Sequence, residues 1–175
     1  MRKLIECVPN FSEGRDMDKI NQITSVIETV DGVKLLDVDP GAATNRTVVT
    51  FVGEPENVVE AAFRAVKKAS EVIDMRTHHG EHPRFGATDV CPLVPVSGVT
   101  MEECVEYAHK LGQRIGEELG IPVFCYESAA KCEERKNLAV CRAGEYEALP
   151  KRLTEGGCVP DYGPAEFNER VALSG

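Results

Sequence analysis

The run Arg46-Thr47-Val48-Val49-Thr50-Phe51-Val52-Gly53 constrains the fold more than any other stretch. Val48, Val49, Phe51 and Val52 put apolar side chains on both faces of an extended segment. A strand that is apolar on both faces belongs in the middle of a sheet. The rest of the chain must therefore supply a neighbour at each edge and a cover for at least one face. Residues 3–9 alternate, with Leu4, Glu6 and Val8 on one side and Ile5 and Cys7 on the other, and read as the first strand. Residues 33–39 read as the second, closed by Pro40-Gly41. Residues 88–96 read as the fourth. Pro92 and Pro95 each remove a ladder donor there, which predicts an edge position or nearby bulges.

Helical periodicity fills the intervals. Residues 16–30 carry Ile20, Ile23, Ile27 and Val30 at helical spacing, with Ser12 or Asp16 available as the cap. Pro55 opens a long helix to about residue 75, its buried stripe being Val58, Val59, Ala62, Val66, Ala69 and Ile73. Thr100 and Glu103 form a capping box for a third helix. Val105, Ala108, Leu111, Ile115 and Leu119 make its inward face, and Gly120 closes it. Residues 121–126 read as a fifth strand, and 128–136 and 145–153 as short helices around the turn Cys141-Arg142-Ala143-Gly144. From residue 155 the chain is rich in glycine and proline and resembles a linker, or a strand that awaits a partner. The order is β-α-β-β-α-β-α-β, whose first six elements match the split βαβ pattern. The expected class is α/β of the α+β kind: a ferredoxin-like βαββαβ core plus an extra αβ pair, in a mixed sheet with its helices on one face. The other face must then be solvated or covered by something else.

Composition narrows the function. The chain has 175 residues, one domain's worth, 42% hydrophobic and 28% charged. A net charge of −9 disfavours a nucleic-acid partner, which needs a basic footprint. No apolar run approaches the roughly 20 residues that span a bilayer, and the N-terminus reads directly into a strand without a signal-like apolar stretch. A cytoplasmic protein is expected. The seven cysteines are odd in number and form no C-x-x-C pair, so buried free thiols are the simplest account.

The chemistry concentrates in His78-His79-Gly80-Glu81-His82-Pro83-Arg84-Phe85-Gly86. Three of the four histidines, a carboxylate and a guanidinium lie within nine residues, and the glycines and proline make a shaped loop. His82 is the candidate reactive imidazole; a histidine-rich surface turn is the bland alternative. The same letters satisfy an H-x-x-E-H zinc signature. That chemistry needs a stable helical turn, which Gly80 and Pro83 weaken, so no metal is expected. Period two adds a second feature. Glu6, Asp37, Asp39 and Asp89 alternate with Ile5, Cys7, Leu36, Val38 and Val90, so an acidic strand face with Asn10 at its rim is expected opposite the helices. Such a face suits a cation or a protonated histidine, or is simply a solvated polar surface. Arg46, Arg84 and Arg142 sit in loops or at strand ends and are suited to hold carboxylates.

Several long pieces of the chain resemble one family. They are Glu6-Cys7-Val8-Pro9-Asn10-Phe11-Ser12-Glu13-Gly14, Leu36-Asp37-Val38-Asp39, Thr44-Asn45-Arg46-Thr47 and Gly80-Glu81-His82-Pro83-Arg84, followed by Arg142-Ala143-Gly144-Glu145-Tyr146-Glu147 and Pro160-Asp161-Tyr162-Gly163-Pro164. Together they resemble the N-terminal subdomain of glutamate formimidoyltransferases, the formiminotransferase half of formiminotransferase-cyclodeaminases. The resemblance implies transfer of a formimino group from N-formimino-L-glutamate to tetrahydrofolate, a co-substrate, in histidine breakdown. It implies that His82 is catalytic, and that the segment after the P-D-x-G-P motif contributes to the folate site. It further implies two similar subdomains whose sheets face each other across a tunnel. The resulting expectation has His82 and Asp39 as catalytic residues. Asn10, Asp37, Arg46, Glu81, Arg84, Asp161, Gly163, Pro164 and Phe167 are the expected substrate-binding residues. The chain would supply one wall, with a second subdomain or a second copy supplying the other. The alternative function is a non-catalytic folate-binding or assembly module.

Overall fold

The computed structural model describes residues 2–77, 86–129 and 160–163. Its sheet is laid out around β4 (Arg46–Gly53), as the two-faced apolar run predicts. β1 (Leu4–Cys7) and β2 (Asn10–Phe11) are halves of one extended segment interrupted at Val8-Pro9, and both pair with β4. β3 (Val33–Gly41) takes the other edge of β4. β5 (Thr88–Val90) pairs with β2 and β6 (Leu93–Ser97) with β1. These last two are halves of the predicted fourth strand, interrupted at Cys91-Pro92, and they lie at the sheet edge that the prolines require.

With each interrupted strand counted once, the spatial order is fourth, first, third, second, the ferredoxin-like order. The expected mixed sheet does not form: every pairing among the described strands is antiparallel. Each helical crossover returns the chain one position beyond the adjacent slot. The two strands that such a crossover makes parallel are thus always separated by one running the other way. The predicted fifth strand is also absent as a strand. Among the described residues, 121–126 contribute one isolated bridge, Val123 with Tyr162, and Pro122 offers no backbone donor. Apart from the 3-10 turn Glu127–Ala129, the helices predicted at 128–136 and 145–153 and the tail beyond residue 163 lie outside the described residues.

Three helices among the described residues cover one face. α1 (Met17–Glu28) is capped by Asp16, whose carboxylate accepts the N–H groups of Asp18 and Lys19. α2 (Pro55–Val72) starts on proline and stops where Ile73 becomes extended, although Ile73 and Met75 remain buried. α3 (Met101–Arg114) opens with the Thr100–Glu103 capping box and continues into a π turn, Ile115–Leu119, ended by Gly120 at φ 66°. Ile23 and Ile27 of α1, and Val58, Ala62 and Val66 of α2, close on Ile5, Cys7, Val49 and Phe51 of the sheet. No helix among the described residues is long and apolar enough to cross a membrane.

One sheet residue departs from its expected side. Leu36 was expected to face the helices, yet it is 50% exposed. The register shifts between Leu35 and Asp37, so a bulge lets Leu35 pack inward and turns Leu36 out.

Candidate active site

Strand register determines which side chains share the face away from the described helices. Asp39 lies opposite Val48, and Val48 opposite Asn10. Asp37 lies opposite Thr50, and Glu6 lies between Val52 and Val94. Directly opposed residues point to the same side of an antiparallel sheet. Glu6, Asn10, Asp37 and Asp39 therefore share the face away from the helices, as alternation predicts. Arg46 joins them: it alternates with buried Thr47 and lies opposite Gly41, at the end of the sheet that holds Asn10 and Asp39. Adjacent strands are about 4.8 Å apart, which puts Asn10 and Asp39 roughly 10 Å from each other across Val48. Asp89 does not follow the pattern. The register shifts where Thr88 pairs with Phe11 and Val90 with Asn10, so period two no longer assigns it a face.

Backbone-directed hydrogen bonds build this end of the sheet from three separate stretches. The Ser12 hydroxyl donates to the Gly86 carbonyl at 2.7 Å, and the Ser12 N–H donates to the Ala87 carbonyl at 2.8 Å. The Gly14 N–H donates to Asn45 Oδ1 at 2.9 Å, and Asn45 is held at φ 51°. Thr47 Oγ1 donates to the Glu13 carbonyl, and Arg15 Nε to the Ala42 carbonyl. Gly14 itself is required, since a Cβ there would lie 2.6 Å from the Arg46 nitrogen. The Glu13 carboxylate accepts the N–H groups of Arg15 and Asp16 and leads into α1. The Phe11–Gly14 stretch, the 44–47 stretch and Gly86-Ala87 thus meet at one corner. Gly86 is also the last residue of the histidine-rich sequence.

The residues that lead toward that sequence are held as well. Met75 is buried, and Arg76 grips the Asp74 carboxylate with two guanidinium bonds of 2.9 and 2.8 Å. Hydrogen bonding by Arg76 holds the Asp74 carboxyl below its ordinary range. His82, Glu81 and Arg84 lie outside the described residues, as do Arg142, Pro164 and Phe167.

Two of the expected substrate-binding residues are not brought to this corner. Asp161 accepts the Cys125 N–H at 2.7 Å, and Tyr162 forms the bridge with Val123. The Tyr162 ring packs on Gly112 of α3, and its hydroxyl lies 2.9 Å from His109 Nδ1. Gly163, at φ 86°, follows directly and packs against Ile121 and Pro122. Asp161 and Gly163 therefore fasten the tail to α3 and residues 121–125. Asn45 and Thr47, in contrast, were not singled out for a role, and Ser12 only as an alternative helix cap, although the three assemble the corner. The signal available for them was a run of small polar residues flanking strand ends, where side chains commonly bond to backbone.

A family model for the formiminotransferase domain, N-terminal subdomain, matches residues 4–174. The chain belongs to this family. Relatives bear out the assignment across two kinds of protein. Glutamate formimidoyltransferase of Streptococcus pyogenes serotype M1 is 50% identical over 174 residues, covering 99% of this chain and 58% of the relative. The Thermoplasma acidophilum protein of the same name is 51% identical over 164 residues, covering 93% of this chain and 54% of the relative. Formimidoyltransferase-cyclodeaminase of Gallus gallus is 58% identical over 167 residues, covering 95% of this chain and 31% of the relative. The formiminotransferase subdomain described here thus spans between 31% and 58% of the length of these relatives.

Proposed function

We propose that this chain supplies one wall of a formimino-transfer site, moving a formimino group from N-formimino-L-glutamate to tetrahydrofolate with His82 as general acid and base. The observation that carries the reading is the corner itself. Asn10, Asp39 and Arg46 share one end of the sheet face away from the described helices, and Ser12 pins Gly86, where the histidine-rich sequence ends, to that same end. Membership of the formiminotransferase family and the names of its relatives support the choice of reaction.

The chemistry asks for these groups. Attack by a folate nitrogen on the amidine carbon forms a tetrahedral adduct. The attacking nitrogen must lose a proton, and the departing glutamate nitrogen must gain one before the carbon–nitrogen bond breaks. An imidazole titrating near neutrality performs both transfers in turn. Asp37 and Asp39 offer negative charge to the amidinium cation and to the imidazolium, and Arg46 and Arg84 suit the glutamate carboxylates. Asp161, Gly163, Pro164 and Phe167 are proposed to bear on the folate side. Glu81 and Asn10 would orient the loop and the substrate. The opposite wall would come from a second formiminotransferase subdomain or a second copy of this chain.

The test is a transfer assay with this chain mixed with a separately produced second subdomain. His82→Ala should lower transfer by at least about 100-fold, the usual range for loss of a general acid–base group, with folate binding retained. Near-normal transfer by that variant would remove the catalytic assignment. Folate binding without any transfer by the unaltered mixture would favour the binding-module reading.

A further inference from the structure

We infer that Cys91 and Cys7 are a reversible dithiol–disulfide pair, Cys91 being the thiol that meets a hydroperoxide and Cys7 the thiol that resolves it. Neither residue belongs to the proposed transfer chemistry. Their Sγ atoms are 3.7 Å apart, one at the end of β1 and the other on the neighbouring edge segment. A disulfide needs the sulfurs at about 2.05 Å, so they must approach by about 1.7 Å. The structure offers that freedom at one point. Cys91 lies between the end of β5 at Val90 and the start of β6 at Leu93, outside the regular ladder of either. Cys7 is in register with Leu93, and the Val8 N–H reaches the Pro92 carbonyl at 3.3 Å. The edge segment is therefore tied down on both sides of Cys91, at Val90 by its pairing with Asn10 and at Pro92 by Val8, while Cys91 itself lies outside the regular ladder.

The two thiols differ in access, which assigns their order. Cys7 is fully buried under the helices. Burial, then the hydrogen bond and charge of Cys91, push its pKa well above the ordinary thiol range, so it is a poor first nucleophile. Cys91 is only partly buried and lines a cavity of about 300 Å³ between α2, α3 and residues 121–129. Val66, Leu111, Ile115 and Phe124 make much of that lining apolar, which suits a small neutral oxidant better than a charged one.

The chemistry balances with a hydroperoxide. The Cys91 thiolate attacks the peroxide oxygen, the O–O bond breaks, and the leaving oxygen departs as water or alcohol after taking a proton. Cys91 becomes a sulfenic acid. Cys7 then attacks that sulfur, the S–O bond breaks, and hydroxide leaves with the Cys7 proton as a second water. Both sulfurs are oxidised and the peroxide is reduced; an external dithiol reverses the step by exchange.

The experiment treats the reduced full chain with hydrogen peroxide and maps its cysteines by mass spectrometry without reduction. The expected product is a Cys7–Cys91 linked peptide, two hydrogens lighter than the separate thiols and released by dithiothreitol. Cys7→Ser should leave Cys91 as a sulfenic acid that a dimedone probe labels about tenfold more than in the unaltered chain. Cys91→Ser should leave Cys7 unoxidised at the same dose. Linkage of Cys91 to a different cysteine, an unmodified Cys91, or equal dimedone labelling with and without Cys7 would each overturn the proposal. Should Cys7→Ser fail to fold, the linkage map of the unaltered chain decides alone.

Discussion

Ser12 and Asn45 hold the corner of the site through side-chain bonds to distant backbone. The Ser12 hydroxyl is buried with the Gly86 carbonyl as its acceptor. Ser12→Ala leaves that carbonyl without its donor, at a cost of about 1–3 kcal/mol, and releases the trailing end of the histidine-rich sequence. Denaturant titration should show the loss, and Ser12→Thr, which keeps a hydroxyl, should recover part of it. Asn45 combines two roles, a positive φ and acceptance of the Gly14 N–H. Asn45→Ala loses both and should cost about 1–3 kcal/mol. Asn45→Gly restores the backbone freedom alone and should fall between the two. If alanine and glycine proved equal, the conformation would contribute nothing. These residues were present in stretches that sequence reading had already marked, but their partners were not legible. Ser12 reaches 74 residues along the chain and Asn45 reaches 31. Nothing local encodes such a pairing.

At the scale of elements, the helices were legible because burial follows their 3.6-residue period, while strand pairing depends on partners elsewhere. The Thr100–Glu103 box and the Asp16 cap stand where the sequence signals put them. Residues 121–126 carry strand-like residues, but Pro122 gives no ladder donor, and a single bridge forms among the described residues. The seam between α2 and α3 was equally hidden. Arg114 binds Glu60 at 2.7 Å and Glu118 at 3.0 Å while its guanidinium stacks 3.9 Å over Phe63. Hydrogen bonding by Arg114 lowers the Glu60 pKa from its ordinary 4.5. A lowered carboxyl pKa gives stability that is present above the unfolded value and is lost as pH falls through the folded one. Both side chains are about a third exposed, 35% and 36%, so solvent screening keeps the contribution under about 1 kcal/mol. Glu60→Gln should therefore be slightly less stable than the unaltered chain at pH 7. The gap should close as pH drops below 4.5. Chemical denaturation at pH 7 and near pH 3 checks this; a gap that stayed constant would mean that Glu60 acts through packing rather than charge.

For the whole molecule, the order of the strands leaves one sheet face without helices among the described residues. The alternating pattern announced that face, and the carboxylates Glu6, Asp37 and Asp39 lie on it as expected. Its apolar content was less legible, because two bulges decide it. One turns Leu36 outward, and the other, between Leu4 and Ile5 in the pairing with β6, accompanies an exposed Val96. Val94, opposite Glu6, is exposed as well. Exposed apolar residues beside the proposed site are a reason to expect a covering partner. The family relatives are longer than this chain, and a second formiminotransferase subdomain is the partner that the proposed function needs. A lysine at 94 lies opposite Glu6, and both charges must be desolvated when the partner docks, yet it costs little on an exposed strand of the separate chain. Val94→Lys should consequently leave the melting temperature of this chain nearly unchanged. The same substitution should weaken its association with the second subdomain by at least about tenfold, with transfer by the mixture falling in step. Titration calorimetry measures the first effect and the transfer assay the second. Unchanged association would mean that the partner does not cover this face, and the transfer site would then have to be sought away from the carboxylate strands.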